Sequence, residues 1–201
     1  MDIDQINHYR IILASRSPRR QKLLRELGLR FEVETRDWEE KYPPHLIGEQ
    51  IALYIAEKKA DSFRKEIREN ELVISADTIV WCDNRVLDKP VSEDDALEIL
   101  RAISGKTHEV ITGVCLLSAK NKRSFYSSTK VTFTELSDEE LIFYIRKFRP
   151  YDKAGAYGIQ EWIGLAACSK IEGSYFNVMG LPVHQVYKEL VEFICKDKRQ
   201  K

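Results

Sequence analysis

Three stretches of the 201-residue chain combine residue types that do chemistry at usable spacing. The first is Ser15-Arg16-Ser17-Pro18-Arg19-Arg20. Ser17 and Pro18 read as the cap and first residue of a helix. Helix N-termini favour acidic residues, because the free N–H groups and the macrodipole are positive there. This one instead sets Arg19 and Arg20 in its first turn beside Arg16, an arrangement that repels itself unless an anion is present. A phosphate answers the misfit, since backbone N–H groups and guanidinium forks both point at its oxygens. The alternative is a solvated basic turn.

The second stretch is Asp77-Thr78, expected at the end of the apolar strand Leu72–Ala76. Carboxylates at the carboxyl ends of strands in α/β sheets face the crevice where ligands bind, although a lone Asp there is also an ordinary turn residue. Glu39-Glu40, a paired carboxylate, is placed either in the same crevice or on a solvated surface. Carboxylates with a polyphosphate form the oxygen set that Mg²⁺ or Mn²⁺ prefers. The third stretch runs from Asp152 to Gln160, where two glycines and two alanines surround one tyrosine. Such a segment permits close backbone approach to a ligand, and the Gln160 amide can donate and accept at a base edge; a small-residue turn is the alternative. His8, His45, His108 and His184 are dispersed and make no Ser/His/Asp or Cys/His set, and His108 is expected to be structural. Cys82, Cys115, Cys168 and Cys195 lack paired spacing, so reduced thiols are expected rather than a zinc site or a disulfide framework.

The elements that must position these residues follow from pattern. Arg10–Ala14 predicts a buried strand, and Leu23, Leu24 and Leu27 give the helix after Pro18 its apolar stripe, closed by Gly28. A strand is expected at Phe31–Thr35 and a long amphipathic helix at Ile47–Arg68. Beyond Asp77-Thr78, a short strand Ile79–Trp81 turns at Asp83-Asn84 and returns through Arg85–Leu87. Helices are expected from Ser92 to about Ile103, from the capping box Ser137–Glu140 to about Lys147, and from Gln185 to Lys196. Thr107–Ser118 and Ser124–Thr134 predict a long hairpin. Helices and strands interleave while at least two strand pairs must be antiparallel, which predicts an α/β fold with a mixed sheet. No repeat or linker divides the chain, so residues 1–201 are expected to form one domain, two lobes around one cleft, with a frayed basic tail at 196–201.

Lys and Arg number 32 against 32 Asp and Glu, a net charge of zero that excludes a general polyanion coat and makes any anion site local. At 43% hydrophobic residues the chain can bury about 70% of its unfolded surface. The longest apolar stretches, Gly113–Leu117 and Ile163–Cys168, fall far short of the roughly 18 residues of a membrane span. The start lacks the basic and apolar regions of a signal peptide, so a soluble, cytoplasmic protein is expected, without membrane or nucleic-acid partners.

Taken together, Leu13–Arg20, Ser75-Ala76-Asp77-Thr78, Asp88-Lys89-Pro90, Ser104–His108, Ile111-Thr112-Gly113-Val114, Asp152–Gln160 and Gly180-Leu181-Pro182 resemble, in order, the motifs of the Maf family of nucleoside triphosphate pyrophosphatases. The resemblance covers about Ile11 to Leu190. It implies an elongated mixed sheet flanked by helices around a deep central cleft, similar to the inosine triphosphatase-like fold, and commonly a homodimer. It implies a cytoplasmic enzyme, dependent on Mg²⁺ or Mn²⁺, that cuts a nucleoside triphosphate between the α- and β-phosphates. Asp77 falls on the family's proton acceptor, and the family's glutamates and lysines lining the cleft fall on Glu39, Glu40, Lys59 and Lys89, so that Glu39, Lys59 and Lys89 are expected as further catalytic groups. The carboxylates Asp77, Glu39 and Glu40 are the expected metal ligands by their own chemistry. Ser15, Arg19, Arg20, Thr78 and Gln160 fall on substrate-binding positions. Of these, Arg19, Thr78 and Gln160 match the branch hydrolysing dTTP and UTP rather than the branch acting on 7-methyl-GTP. A nucleotide-sensing regulator of septum formation is the non-catalytic alternative. Two departures stand out: Ser75 where glycine is usual, and Glu161-Trp162-Ile163 in place of a glycine-rich continuation. The second bears on tolerance for modified bases.

Overall fold

The computed structural model describes residues 6–36 and 41–199, so Glu39 and Glu40 lie outside the described residues. The run Ile11–Leu13 is buried on both faces, as a strand with parallel neighbours must be. It forms β1 (Arg10–Leu13), paired parallel with β2 (Phe31–Val33) on one side and with β3 (Glu71–Cys82) on the other. Helix α1 (Pro18–Glu26) links β1 to β2, and the Ser17 Oγ caps it by accepting from the Arg20 N–H at 3.4 Å. Helix α2 (Glu49–Asp61) precedes β3 and buries Ile51, Ala52, Ile55, Ala56 and Ala60. At the end of β3, Asp83 and Asn84 take φ of 49° and 61°, the paired left-handed turn that matches strand twist. The turn feeds β4 (Arg85–Leu87), antiparallel on β3.

Helix α3 (Glu93–Ile103) is capped by Ser92, and α4 (Asp138–Phe148) by the Ser137–Glu140 capping box. Between them, β5 (Thr107–Leu117) and β6 (Lys122–Phe133) are joined by only four residues, which forces an antiparallel return; the Ser118 N–H donates to the Asn121 carbonyl at 2.9 Å. After α4 come α5 (Trp162–Ala166), then β7 (Cys168–Glu172) antiparallel on β6, α6 (Tyr175–Val178) and α7 (Val183–Arg199). The seven strands lie in the order β2-β1-β3-β5-β6-β7, with β4 on β3, giving the mixed α/β sheet expected. No helix among the described residues is long and apolar enough to cross a membrane.

The chain divides into two compact units, Met1–Asp77 with Thr112–Ser127 and Gly180–Lys201, and Thr78–Ile111 with Ser128–Met179. In the first, Ala56, Ala60 and Phe63 pack on Ile12, Val73, Cys115 and Leu117 of the sheet. In the second, α3 and α4 supply Ile99, Leu100, Ile103, Leu141, Tyr144 and Ile145 to a core shared with Val80, Phe133 and Tyr157.

The structure corrects the sequence reading in three places. Asp77 does not end a strand: β3 runs unbroken through Asp77-Thr78, absorbing both short strands expected there. The helix expected at Ile47–Arg68 is helical only over α2, Glu49–Asp61. Elements α5, β7 and α6 were not foreseen.

Candidate active site

In the first unit, α2 and β3 bring one pair of charged groups together. The Lys59 Nζ lies 2.7 Å from the Asp77 Oδ1, and both side chains are 16% exposed, open enough to meet a ligand and sheltered enough to be held. Two features place α2 so closely on the sheet. A Cβ at Gly113 would lie 2.4 Å from the backbone C and O of Ala52, so only glycine lets β5 pass under the helix. Ser75 on β3, fully buried, donates its hydroxyl to the Ala56 carbonyl at 2.6 Å. Its departure from glycine thus adds a tie between strand and helix. The Asp77 Oδ2 accepts no hydrogen bond from a described residue.

The three arginines expected to cluster at the start of α1 differ in burial, and Arg16 and Arg20 reach partners on different segments. Arg20 is buried and turns inward: Nε donates to the Gly180 carbonyl (2.9 Å), and Nη1 to the Ala76 carbonyl (2.9 Å) and the Ser15 Oγ (3.2 Å). It braces β3 at the residue before Asp77. Ser15 is engaged in the same brace and also accepts from the Ser17 N–H at 3.3 Å. Arg16 is exposed and donates to the Thr35 Oγ1 at 3.0 Å. Arg19 is half-buried in the helix's first turn.

In the second unit, Thr78 is half-buried on β3, and Lys89 is exposed after β4. The Asp88 carbonyl beside Lys89 accepts from the Gly155 N–H at 3.2 Å, tying that strand end to the 150s segment. Gln160 is exposed at a groove of about 400 Å³ lined also by Ile159, Leu165, Lys170 and Tyr175. Sequence reasoning missed Lys153, 7% exposed in spite of its charge, which pairs with Asp152 (2.7 Å) and Glu161 (3.1 Å). The only local signal was the carboxylate at 161 in place of glycine. His108 is structural, as expected: it is buried with Nε2 2.8 Å from the Tyr157 hydroxyl, edge-on to Phe133 and Tyr157. Burial holds its imidazole down at about 4. Burial also pushes up the thiols of Cys82, Cys168 and Cys115, the last to about 11.

Among the described residues no cluster of three or more His, Cys, Asp or Glu is set for a metal ion. Asp77 alone fits such an ion in part: a carboxylate oxygen engaged by no described residue is the donor that hard divalent cations take, usually one or two such groups completed by substrate phosphates.

The family model for "Maf-like protein" matches residues 10–193. The chain belongs to the Maf family. The matched span contains every candidate site residue named above. A dTTP/UTP pyrophosphatase of Phocaeicola vulgatus is 56% identical to this Maf chain over 189 residues, covering 94% of it and 98% of the relative. One of Flavobacterium johnsoniae is 48% identical over 191 residues, covering 95% and 98%. Among solved structures, a nucleoside-triphosphatase / dITP/XTP pyrophosphatase from Mycobacterium abscessus aligns with a TM-score of 0.39 at 14% identity, over 63% of this chain and 75% of that one.

Proposed function

We propose that the chain is a dTTP/UTP pyrophosphatase, hydrolysing the bond between the α- and β-phosphates to give the nucleoside monophosphate and pyrophosphate. The observation that carries this reading is the Asp77 carboxylate held at 2.7 Å by Lys59 on a braced strand, with one oxygen engaged by no described residue. Relatives of that name at 56% and 48% identity support the choice of substrate.

Hydrolysis at the α-phosphorus needs an in-line water, compensation of phosphoryl charge and a stabilised leaving group. In this reading the water oxygen forms the new bond to the α-phosphorus, its proton passes to Asp77, and the α–β bridging P–O bond breaks with its electron pair leaving on pyrophosphate. Lys59 orients the carboxylate and, with Arg19 and Lys89, meets the phosphate charge. Thr78 and Gln160 read the pyrimidine. Asp77, with Glu39 or Glu40, would hold Mg²⁺ or Mn²⁺, which when bound supplies further charge compensation on the phosphates. Arg20 and Ser15 act in this reading by bracing the backbone beside Asp77 rather than by touching substrate. A cytoplasmic homodimer is proposed on the family resemblance alone.

Incubation with a panel of nucleoside triphosphates, including 7-methyl-GTP, plus Mg²⁺ or Mn²⁺ and a pyrophosphate assay tests the reading. Release from dTTP and UTP is expected. No release from any triphosphate, or release from 7-methyl-GTP alone, overturns it.

A further inference from the structure

The side chain of Glu161 is the centre of a part-buried polar network that the proposed reaction does not use. Its Oε1 lies 3.1 Å from the Nζ of Lys153, and its Oε2 accepts from the Tyr144 hydroxyl at 2.5 Å. Tyr144 is fully buried in α4, stacked against Phe148 and Trp162, and so offers a fixed point. The same hydroxyl accepts from the Gly158 N–H at 3.0 Å. One phenol therefore fastens the chain at residue 158 and at residue 161, with Gln160 between them. Lys153 fastens the start of the segment to its end. A charged pair at this burial is held only when its geometry and hydrogen bonds are complete, and removing one partner leaves the other uncompensated.

The packing couples this network to the Gln160 side chain itself. A Cβ at Gly158 would lie 3.0 Å from the Gln160 Nε2 and 2.8 Å from the Glu161 Cδ, so both side chains lie against the same bare backbone. We propose that Glu161 is a positioning residue: through Lys153 and Tyr144 it locks residues 153–161 so that the Gln160 amide is presented in one orientation for base discrimination. The selectivity part rests on the reading of Gln160 as the residue that reads the pyrimidine; the lock does not. Where the family resemblance has a glycine-rich continuation, this chain carries its own fastening.

The test uses the full chain with Glu161→Gln, Tyr144→Phe and Lys153→Met, the first two being mild enough to keep the fold. Two quantities are read: amide hydrogen exchange across 154–161, and the ratio of kcat/KM for dTTP over CTP. The lock predicts exchange at least about tenfold faster in that segment in all three variants, with exchange in β1, β3 and β5 unchanged. Presentation of Gln160 predicts a fall in the dTTP/CTP ratio of roughly 10- to 100-fold, the scale of an ångström-sized misplacement, with kcat on dTTP within about threefold. Gln160→Ala should lower the ratio without changing exchange. Unchanged exchange in Glu161→Gln and Lys153→Met overturns the lock. Faster exchange with the ratio intact overturns the role in discrimination. A wild-type chain that does not prefer dTTP over CTP overturns the reading of Gln160, while the exchange data still decide the lock.

Discussion

At the scale of single residues, the two arginines of the first turn of α1 separate by burial. Arg20 braces Gly180, Ala76 and Ser15, so Arg20→Met should leave buried acceptors unpaired and lower unfolding free energy by at least about 1–3 kcal/mol in urea titration. Arg19 is half-buried, so Arg19→Met should raise KM for dTTP while the urea midpoint stays near wild type. Asp77→Asn keeps the shape of the side chain and removes the base. Turnover should fall at least about 10²–10⁴-fold with the circular dichroism spectrum unchanged; a folded variant with wild-type turnover would sink the assignment. The sequence reading set Asp77 at a strand end, and the structure sets it inside β3. A polar Asp-Thr pair inside an apolar run reads as a strand end, and only a strand running on through half-buried positions explains why it is not.

At the scale of elements, what was legible depended on length and locality. The cap at Ser17, the capping box at Ser137 and the Asp83-Asn84 turn are written in neighbouring residues, and all three formed. Helix α5, five residues long, is too short for a helical period to register, and β7, Cys168-Ser169-Lys170-Ile171-Glu172, is a short edge strand with no buried residue and no regular apolar alternation. The network at Glu161 was illegible because its partner Tyr144 comes from a different helix, 17 positions earlier. The approach of α2 to β5 yields a prediction of its own. Gly113→Ala must displace the helix backbone at Ala52, costing about 1–3 kcal/mol in urea unfolding. Because α2 carries Lys59, the same variant should also lower kcat on dTTP, whereas a substitution that only softened the core would not.

At the scale of the whole molecule, acid sensitivity has an identifiable source. His108 is held near 4 by burial against an ordinary value of 6.5. Between those values the unfolded chain binds a proton that the folded chain refuses, so stability is full above about pH 6.5 and is lost as the pH falls toward 4, by an amount of order 3 kcal/mol. Urea titrations from pH 7 to 4.5 should show that decline, and His108→Gln should flatten it. The two ties between α2 and β3 also bear on how the chain can vary in length among its relatives. Ala56 and Lys59 are three positions apart on the helix and meet Ser75 and Asp77, two apart on the strand. One residue inserted between Ala56 and Lys59 would swing the lysine about 100° around the helix axis and away from the carboxylate. Insertions and deletions are therefore expected to be tolerated in the loops flanking this helix and barred from that three-residue interval.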